Sequence, residues 1–149
     1  MIQAKVSLTF PPTLQFIVET EGGHRLIIDD VLGQAGSSPV ELMAAALAGC
    51  TAFDVAAILR HKKLTAYEVS VEAEQKPDSP QALTHVRIHH AITGEDIDPE
   101  LVREAIRLFE SKCCSVSAMA RQNGAEIKTT YSIQSERDVQ AGPVSAPAA

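Results

Sequence analysis

The chain has 149 residues, 45% of them hydrophobic and 21% charged, which predicts one soluble globular domain with a hydrophobic core. Lys and Arg number 13 against 19 Asp and Glu, so the net charge is −6, and without a basic segment we expect no nucleic-acid partner. Asp54 interrupts the most apolar stretch, residues 42–59, which argues against a membrane partner. An N-terminus without a secretory pattern and an odd number of cysteines, 3, predict a cytoplasmic protein with free thiols.

Alternating apolar and polar residues predict three antiparallel strands in the first thirty residues. The first run covers residues 2–10 and ends at Pro11-Pro12. A second run carries Leu14, Phe16 and Val18 on one face. Gly22-Gly23 then turns the chain into a third strand near Arg25 to Ile28, followed by a loop over residues 29–37.

A long helix is predicted to begin at Pro39 and to run to about Lys63. Ser38 is suited to the N-cap, and Glu41, three residues later, completes a capping box. Residues 44–52 are mostly Ala and Gly and are apolar on nearly all sides of a helix. Such a helix is normally buried, so we expect it to be the long buried central helix of the fold.

The remaining elements follow the order strand, strand, helix, helix, strand. Alternation predicts strands over residues 67–73 and 86–92, and helical spacing predicts a helix over residues 99–112. A break at Cys113-Cys114 precedes a short helix over residues 115–122 and a last strand near residues 127–133. The order βββ-α-ββ-αα-β predicts a single α+β domain over residues 1–135. Residues 136–149, rich in Ala, Pro, Gly and Ser, are predicted to be a disordered tail.

The cysteines are the candidate chemical groups. Cys50 lies inside the Ala- and Gly-rich helix, where a cysteine is either a small hydrophobic residue or a thiol that needs a cation from elsewhere in the fold. Cys114 precedes a short helix, where unpaired N–H groups and the helix dipole favour a thiolate. Adjacent cysteines rarely pair, so Cys113 is interpreted as a bystander. His85 and His89 flank Arg87 and lack metal-ligand spacing, so no metal and no cofactor are predicted.

Two segments resemble the OsmC/Ohr family of osmotically inducible proteins and organic hydroperoxide reductases. They are SPVELMAAALAGCTAFDVAAIL at residues 38–59 and CSVSAM at residues 114–119. The resemblance implies an intertwined homodimer with its sites at the subunit interface. It also implies that Cys50 is the peroxidatic thiol that attacks a small organic hydroperoxide. Cys114 would then be the resolving thiol, and a dithiol reductant would restore the pair.

The chain departs from the hydroperoxide reductases at the start of the long helix. In those enzymes a glutamate directly follows the proline and positions an N-terminal arginine that activates the first cysteine. Here Val40 follows Pro39, and Glu41 lies one residue later, about 100° around the helix. Arg25 is the only arginine before Arg60, and it is therefore the candidate cation. This pattern is similar to a divergent branch of the family.

Three functions remain open from the sequence. The first is a thiol-dependent peroxidase that reduces organic hydroperoxides through Cys50 and Cys114 in the response to oxidative or osmotic stress. The second is a non-peroxidatic OsmC-like protein that binds a small apolar or electrophilic ligand at the dimer interface. The third is a structural dimer whose thiols are incidental.

Overall fold

The computed structural model describes residues 2–9, 14–30, 35–78, 80–112 and 114–135. Its elements follow the predicted order βββ-α-ββ-αα-β, which confirms the α+β class. The chain divides into two compact units between Ala45 and Ala46. Cys113 and the predicted tail over residues 136–149 lie outside the described residues, and the prediction of a single domain stays a prediction.

The first unit contains a three-stranded antiparallel sheet. Its strands are β1 (Ala4–Leu8), β2 (Phe16–Thr20) and β3 (Arg25–Ile28), in that spatial order. The register aligns apolar residues of all three strands on one face, namely Val6, Leu8, Phe16, Val18, Leu26 and Ile28. Several of them remain exposed within the single chain, Val6 by 54% and Leu8 by 46%. This sheet therefore has an apolar face that its own unit does not cover.

The capping box at the start of the long helix forms as predicted. The Ser38 backbone N–H donates to the Glu41 carboxylate at 2.6 Å, and the Glu41 N–H donates to the Ser38 hydroxyl at 3.3 Å. A bridge between Ile28 and Ser37 ties this start to strand β3. Gly36 is required there, because a Cβ at this position would lie 2.7 Å from the carbonyl carbon of Ile27.

Helix α1 spans Pro39–Leu59, so the prediction that it runs to about Lys63 was wrong. The Lys62 N–H donates to the Leu59 carbonyl at 2.8 Å, which closes a turn after the helix, and strand β4 already begins at Lys63. Helical propensity continues through this segment, but pairing of Lys63 with Glu95 in the sheet overrides it.

The second unit contains the larger sheet. It consists of β4 (Lys63–Gln75), β5 (Leu83–Glu95) and β6 (Glu126–Gln134), with β5 in the centre, antiparallel to β4 and parallel to β6. Alternate β5 residues from Val86 to Ile92 are buried, as the period-two pattern predicted. Helices α2 (Pro99–Lys112) and α3 (Ser115–Gln122) connect the parallel strands β5 and β6.

The core of the second unit lies between this sheet and the helices. Its buried members come from α1, β5, the turn after β5 and α2: Val55, Leu59, Ile92, Ile97, Val102, Ala105 and Ile106. Burial of such side chains contributes roughly 1.5–3 kcal/mol each toward folding. This packing anchors the C-terminal half of α1 and thereby fixes the end of the helix that follows Cys50.

Helix α1 is not buried on most sides within the single chain, contrary to the sequence-based expectation. Its buried residues form one narrow stripe, which we call the α1 stripe: Leu47, Thr51, Val55 and Leu59. Phe53, on another face, is 82% exposed. By length and composition alone the helix could cross a membrane, but its stripe packs within the core of a folded unit. The other faces are therefore apolar surface that is exposed in the single chain.

Candidate functional site

The structure brings the Cys50 and Cys114 side chains into contact. Cys50 is half-buried in α1, Cys114 is only 6% exposed just before α3, and both are free thiols. Each thiol lies close enough to shift the pKa of the other, upward for Cys50 and downward for Cys114. Two neighbouring thiols can exchange a proton and, once an oxidant has converted one of them to a sulfenic acid, can join as a disulfide.

Cys114 is the N-cap residue of α3. Its sulfur accepts a hydrogen bond from the Ser117 backbone N–H at 3.3 Å and another from the Ser117 hydroxyl at 3.0 Å. A sulfur in this position takes the place of the oxygen of a usual Ser or Asp cap, and the acceptor is strongest as a thiolate. Burial raises the pKa of Cys114, but the hydrogen bonds from Cys50 and Ser117 outweigh it and lower the pKa overall.

Cys50 has the opposite electrostatic setting. Burial, its role as donor to Cys114 and the charge of Asp54 together raise the pKa of the Cys50 thiol to about 11, against a smaller lowering by the Val116 N–H. Asp54 lies one turn along α1 and repels a negative charge on Cys50. Cys114 is therefore the more acidic thiol of the two, and a negative charge on the pair is favoured there.

The two groups considered for activating Cys50 have other partners. Arg25 forms an ion pair with Glu19 on the neighbouring strand. The Glu41 carboxylate accepts hydrogen bonds from Ser38, which lower its pKa, and so acts as the partner of the helix cap. The catalytic assignment of Cys50 and Cys114 stays a prediction.

Beside Cys50 the second unit holds a buried polar group that sequence reasoning missed. His90, on β5, is fully buried, with its Nδ1 2.7 Å from the Tyr67 hydroxyl and its Nε2 3.4 Å from the Thr51 hydroxyl. The Tyr67 and His90 rings are stacked with centroids 5.9 Å apart. We call these residues the Tyr67–His90–Thr51 triplet. Its sequence signal is a histidine among the inward-facing apolar residues of β5, namely Val86, Ile88 and Ile92.

Comparison with known proteins shows the family. Residues 32–130 match the model of the family described as OsmC-like protein. The chain belongs to the OsmC-like family. It is 31% identical over 122 residues to Protein YhfA of Escherichia coli K12, an alignment that covers 80% of this chain and 90% of that protein.

Solved structures share the OsmC-like fold. A hypothetical protein from Aquifex aeolicus superposes with a TM-score of 0.78 at 20% identity, covering 91% of this chain and 98% of the other. An organic hydroperoxide resistance protein from Elizabethkingia anophelis superposes with a TM-score of 0.62 at 21% identity, covering 90% and 96% respectively. The order of strands and helices seen here is therefore that of the family.

Replacing Ser117 with Ala is expected to raise the pKa of Cys114, because it removes a hydroxyl donor from a sulfur that carries negative charge. The measurement is the pH midpoint of iodoacetamide alkylation at Cys114, read residue by residue with mass spectrometry. Ser115→Ala, at an exposed neighbouring serine, should leave the midpoint in place. A midpoint that stays or falls in Ser117→Ala would contradict this assignment.

The buried imidazole predicts a pH-dependent stability. Burial, with a smaller effect of His89, lowers the pKa of His90 from 6.5 to about 4. Between these values the unfolded chain binds the proton and the folded chain does not, so stability is present above pH 6.5 and is lost as the pH falls toward 4. The loss from this group is on the order of 3 kcal/mol. Urea titrations at pH 4.5 and 7.5 should show that the free energy of unfolding falls less at the lower pH in His90→Gln than in the parent. An equal fall in both proteins would refute the assignment.

Proposed function

We propose that this OsmC-like protein is a thiol-dependent peroxidase of the cytoplasm that reduces small organic hydroperoxides through Cys50 and Cys114. The observation that carries the proposal is the proximity of two free thiols, Cys50 and Cys114, which come from separate elements of the fold. Family membership supports it, since a structural relative is named an organic hydroperoxide resistance protein. A response to oxidative or osmotic stress is the corresponding role.

The contact supplies a path for the proton of Cys50. As the Cys50 sulfur attacks the terminal peroxide oxygen, its proton passes to the Cys114 thiolate, and the O–O bond breaks to release an alkoxide that takes a solvent proton. Cys50 is thereby oxidised to a sulfenic acid and the peroxide is reduced to an alcohol. Cys114 then attacks the sulfenic sulfur, its proton leaves with the hydroxide as water, and a disulfide forms. A dithiol reductant returns both cysteines to thiols.

Small residues next to Cys50 support attack by this thiol rather than by Cys114. Gly49 directly precedes Cys50, and a Cβ placed on it would meet no described atom within 4 Å beyond its own helix. This unobstructed apolar surface of α1 leaves room for the organic group of a hydroperoxide beside Cys50. Cys114, by contrast, is enclosed at the cap of α3.

We further propose that the protein is a homodimer with an isologous interface. Apolar residues remain exposed on each unit taken by itself, including Val6 and Leu8 on the first sheet, Phe53 on α1 and Met119 on α3. Apolar surface of this extent is unusual for a monomer in water and is typical of an interface.

One observation favours a second function. The pKa of Cys50, about 11, is set by burial, Cys114, Val116 and Asp54, without a cation among the contributing groups. A protonated thiol reacts slowly with peroxide, so the same space could instead serve a non-peroxidatic protein that binds a small apolar or electrophilic ligand.

Single-cysteine variants separate these functions. Cys114→Ser, which lacks the proton acceptor, should consume one equivalent of cumene hydroperoxide more slowly than the parent and stop as a Cys50 sulfenic acid, trapped by dimedone and located by mass spectrometry. Cys50→Ser should consume none, because the remaining Cys114 lies in the cap of α3. Cys113→Ser serves as the matched control and should turn over like the parent.

Other outcomes of that experiment are equally clear. A dimedone adduct on Cys114 of Cys50→Ser would reverse the order of the two thiols. No adduct and no peroxide consumption in any variant would favour the ligand-binding function.

The dimer predicts a mass twice the 16.0 kDa of one chain by light scattering at micromolar concentration. Phe53→Asp should shift the measured mass toward that of the monomer. Phe53 is 82% exposed in one chain, and the proposed dimer covers it, so the substitution would place a charge in the interface. Ser70→Asp, at an exposed residue of β4, is the control and should remain dimeric. A parent chain that scatters as a monomer would exclude the shared site.

A further inference from the structure

The Tyr67–His90–Thr51 triplet is a polar group in an otherwise apolar core. His90 is fully buried and Thr51 is 5% exposed. Among the residues that the structure describes, every buried side-chain nitrogen and oxygen has a hydrogen-bond partner. Aliphatic residues of similar volume would fill this space without the desolvation that an imidazole and a hydroxyl require, so packing alone does not account for the triplet.

The triplet contacts α1 at Thr51, next to Cys50 and between two fully buried apolar residues of the α1 stripe, Leu47 and Val55. Toward its C-terminal end the α1 stripe has Val55 and Leu59 in the core, whose shapes fix that half. Around Cys50 the neighbours are small, with Ala48 and Gly49 before it and Ala52 soon after. Leu47 and Val55 determine which face of α1 is buried, whereas the small residues beside Cys50 add little to the exact rotation of this part of the helix.

A hydrogen bond is directional and therefore specifies rotation where small side chains do not. A neutral imidazole has one N–H and one acceptor nitrogen. With the Tyr67 hydroxyl donating to Nδ1, the Nε2–H donates to the Thr51 hydroxyl, and both contacts of His90 are satisfied. Tyr67 on β4 thus orients a ring on β5, and that ring holds one residue of α1.

Thr51 directly follows Cys50, so the two side chains point about 100° apart around the helix. With Thr51 held on the sheet, Cys50 faces Cys114. A sulfur lies about 5 Å from the helix axis, so a rotation of about 20° moves it by about 2 Å. Disulfide formation needs sulfurs about 2 Å apart with a narrow range of dihedral angles, and such a rotation would prevent it.

We propose that His90 is a positioning residue, which through Thr51 fixes the rotation of α1 so that the Cys50 sulfur meets Cys114. This role rests on the proposed function only in that the disulfide is a step of the peroxidase cycle. It concerns the geometry of the thiol pair, and therefore it can be measured without a peroxide.

The test measures the effective concentration of one thiol of the Cys50–Cys114 pair relative to the other. Full-length protein is equilibrated in glutathione redox buffers, and the fraction that carries the disulfide is quantified by thiol labelling. Thr51→Val keeps the shape of the side chain but removes the hydroxyl, and we expect the effective concentration to fall at least tenfold. Thr51→Ser restores the hydroxyl and should restore most of the value. His90→Asn, whose amide reaches the Nδ1 position but not Nε2, should lower it like Thr51→Val.

Thr93→Val is the matched control, since Thr93 lies on β5 on the face opposite to His90, and its effective concentration should equal that of the parent. Circular dichroism and urea unfolding of the reduced proteins accompany each measurement. A merely structural triplet would lower the stability of reduced and oxidised protein alike, so an unchanged or raised effective concentration in Thr51→Val would overturn the proposal. So would a parent that forms no Cys50–Cys114 disulfide in these buffers.

Failure of the proposed function gives a different result. If the parent consumes no hydroperoxide while Thr51→Val still lowers the effective concentration, the positioning role holds and the peroxidase does not.

Discussion

The site depends on how a helix with few large side chains is held in place. Helix α1 packs in the core of the second unit through Val55 and Leu59, with Ile58 against the same core, and Leu47 is the other large apolar residue of the α1 stripe. The remaining position, Thr51, is polar and lies next to Cys50. Small residues allow other backbone segments to approach Cys50 closely, but they also leave its orientation weakly specified. The small residues that create space at Cys50 therefore require a directional contact, such as the hydrogen bond of Thr51, beside this thiol.

The surroundings of the two sulfurs differ in how well they stabilise a negative charge. Ser117 stabilises negative charge on Cys114, whereas burial and Asp54 oppose it on Cys50. An attacking Cys50 must therefore pass its proton to Cys114 or meet a cation supplied from outside the second unit. In the proposed peroxidase cycle the first arrangement makes Cys114 the base and afterwards the resolving thiol, so that one contact serves both steps.

The order of elements could be predicted from the sequence because local signals are strong here. The capping box of Ser38 and Glu41 marked the start of α1, and the period-two alternation of β5 identified its buried face. The end of α1 was misplaced because strand pairing at Lys63 is a tertiary effect. Its burial was overestimated because an apolar helix surface does not reveal whether its own chain or another covers it.

The candidate site, like the fold, could be predicted only in part from the sequence. Local reasoning identified Cys114 as a helix-cap thiol, and only the family resemblance paired it with Cys50, because contact between distant segments is set by the fold. The triplet was missed because His90 fits the alternation of its strand, and Tyr67 and Thr51 are ordinary residues for a strand and a helix. A histidine on an apolar strand face predicts a buried partner, but the sequence does not say which hydroxyl provides it.

Thermodynamic linkage joins the triplet to the thiol pair in both directions. If the setting of α1 that Thr51 maintains raises the effective concentration of the two sulfurs tenfold, the disulfide must strengthen that setting by the same factor, about 1.4 kcal/mol. Oxidation would then tighten the contact between α1 and β5 rather than strain it. The triplet lies on the sheet side of the helix and the sulfurs on the side of α3, so they constrain the same rotation from two directions. The hydrophobic α1 stripe alone would constrain this rotation only from the side of the sheet.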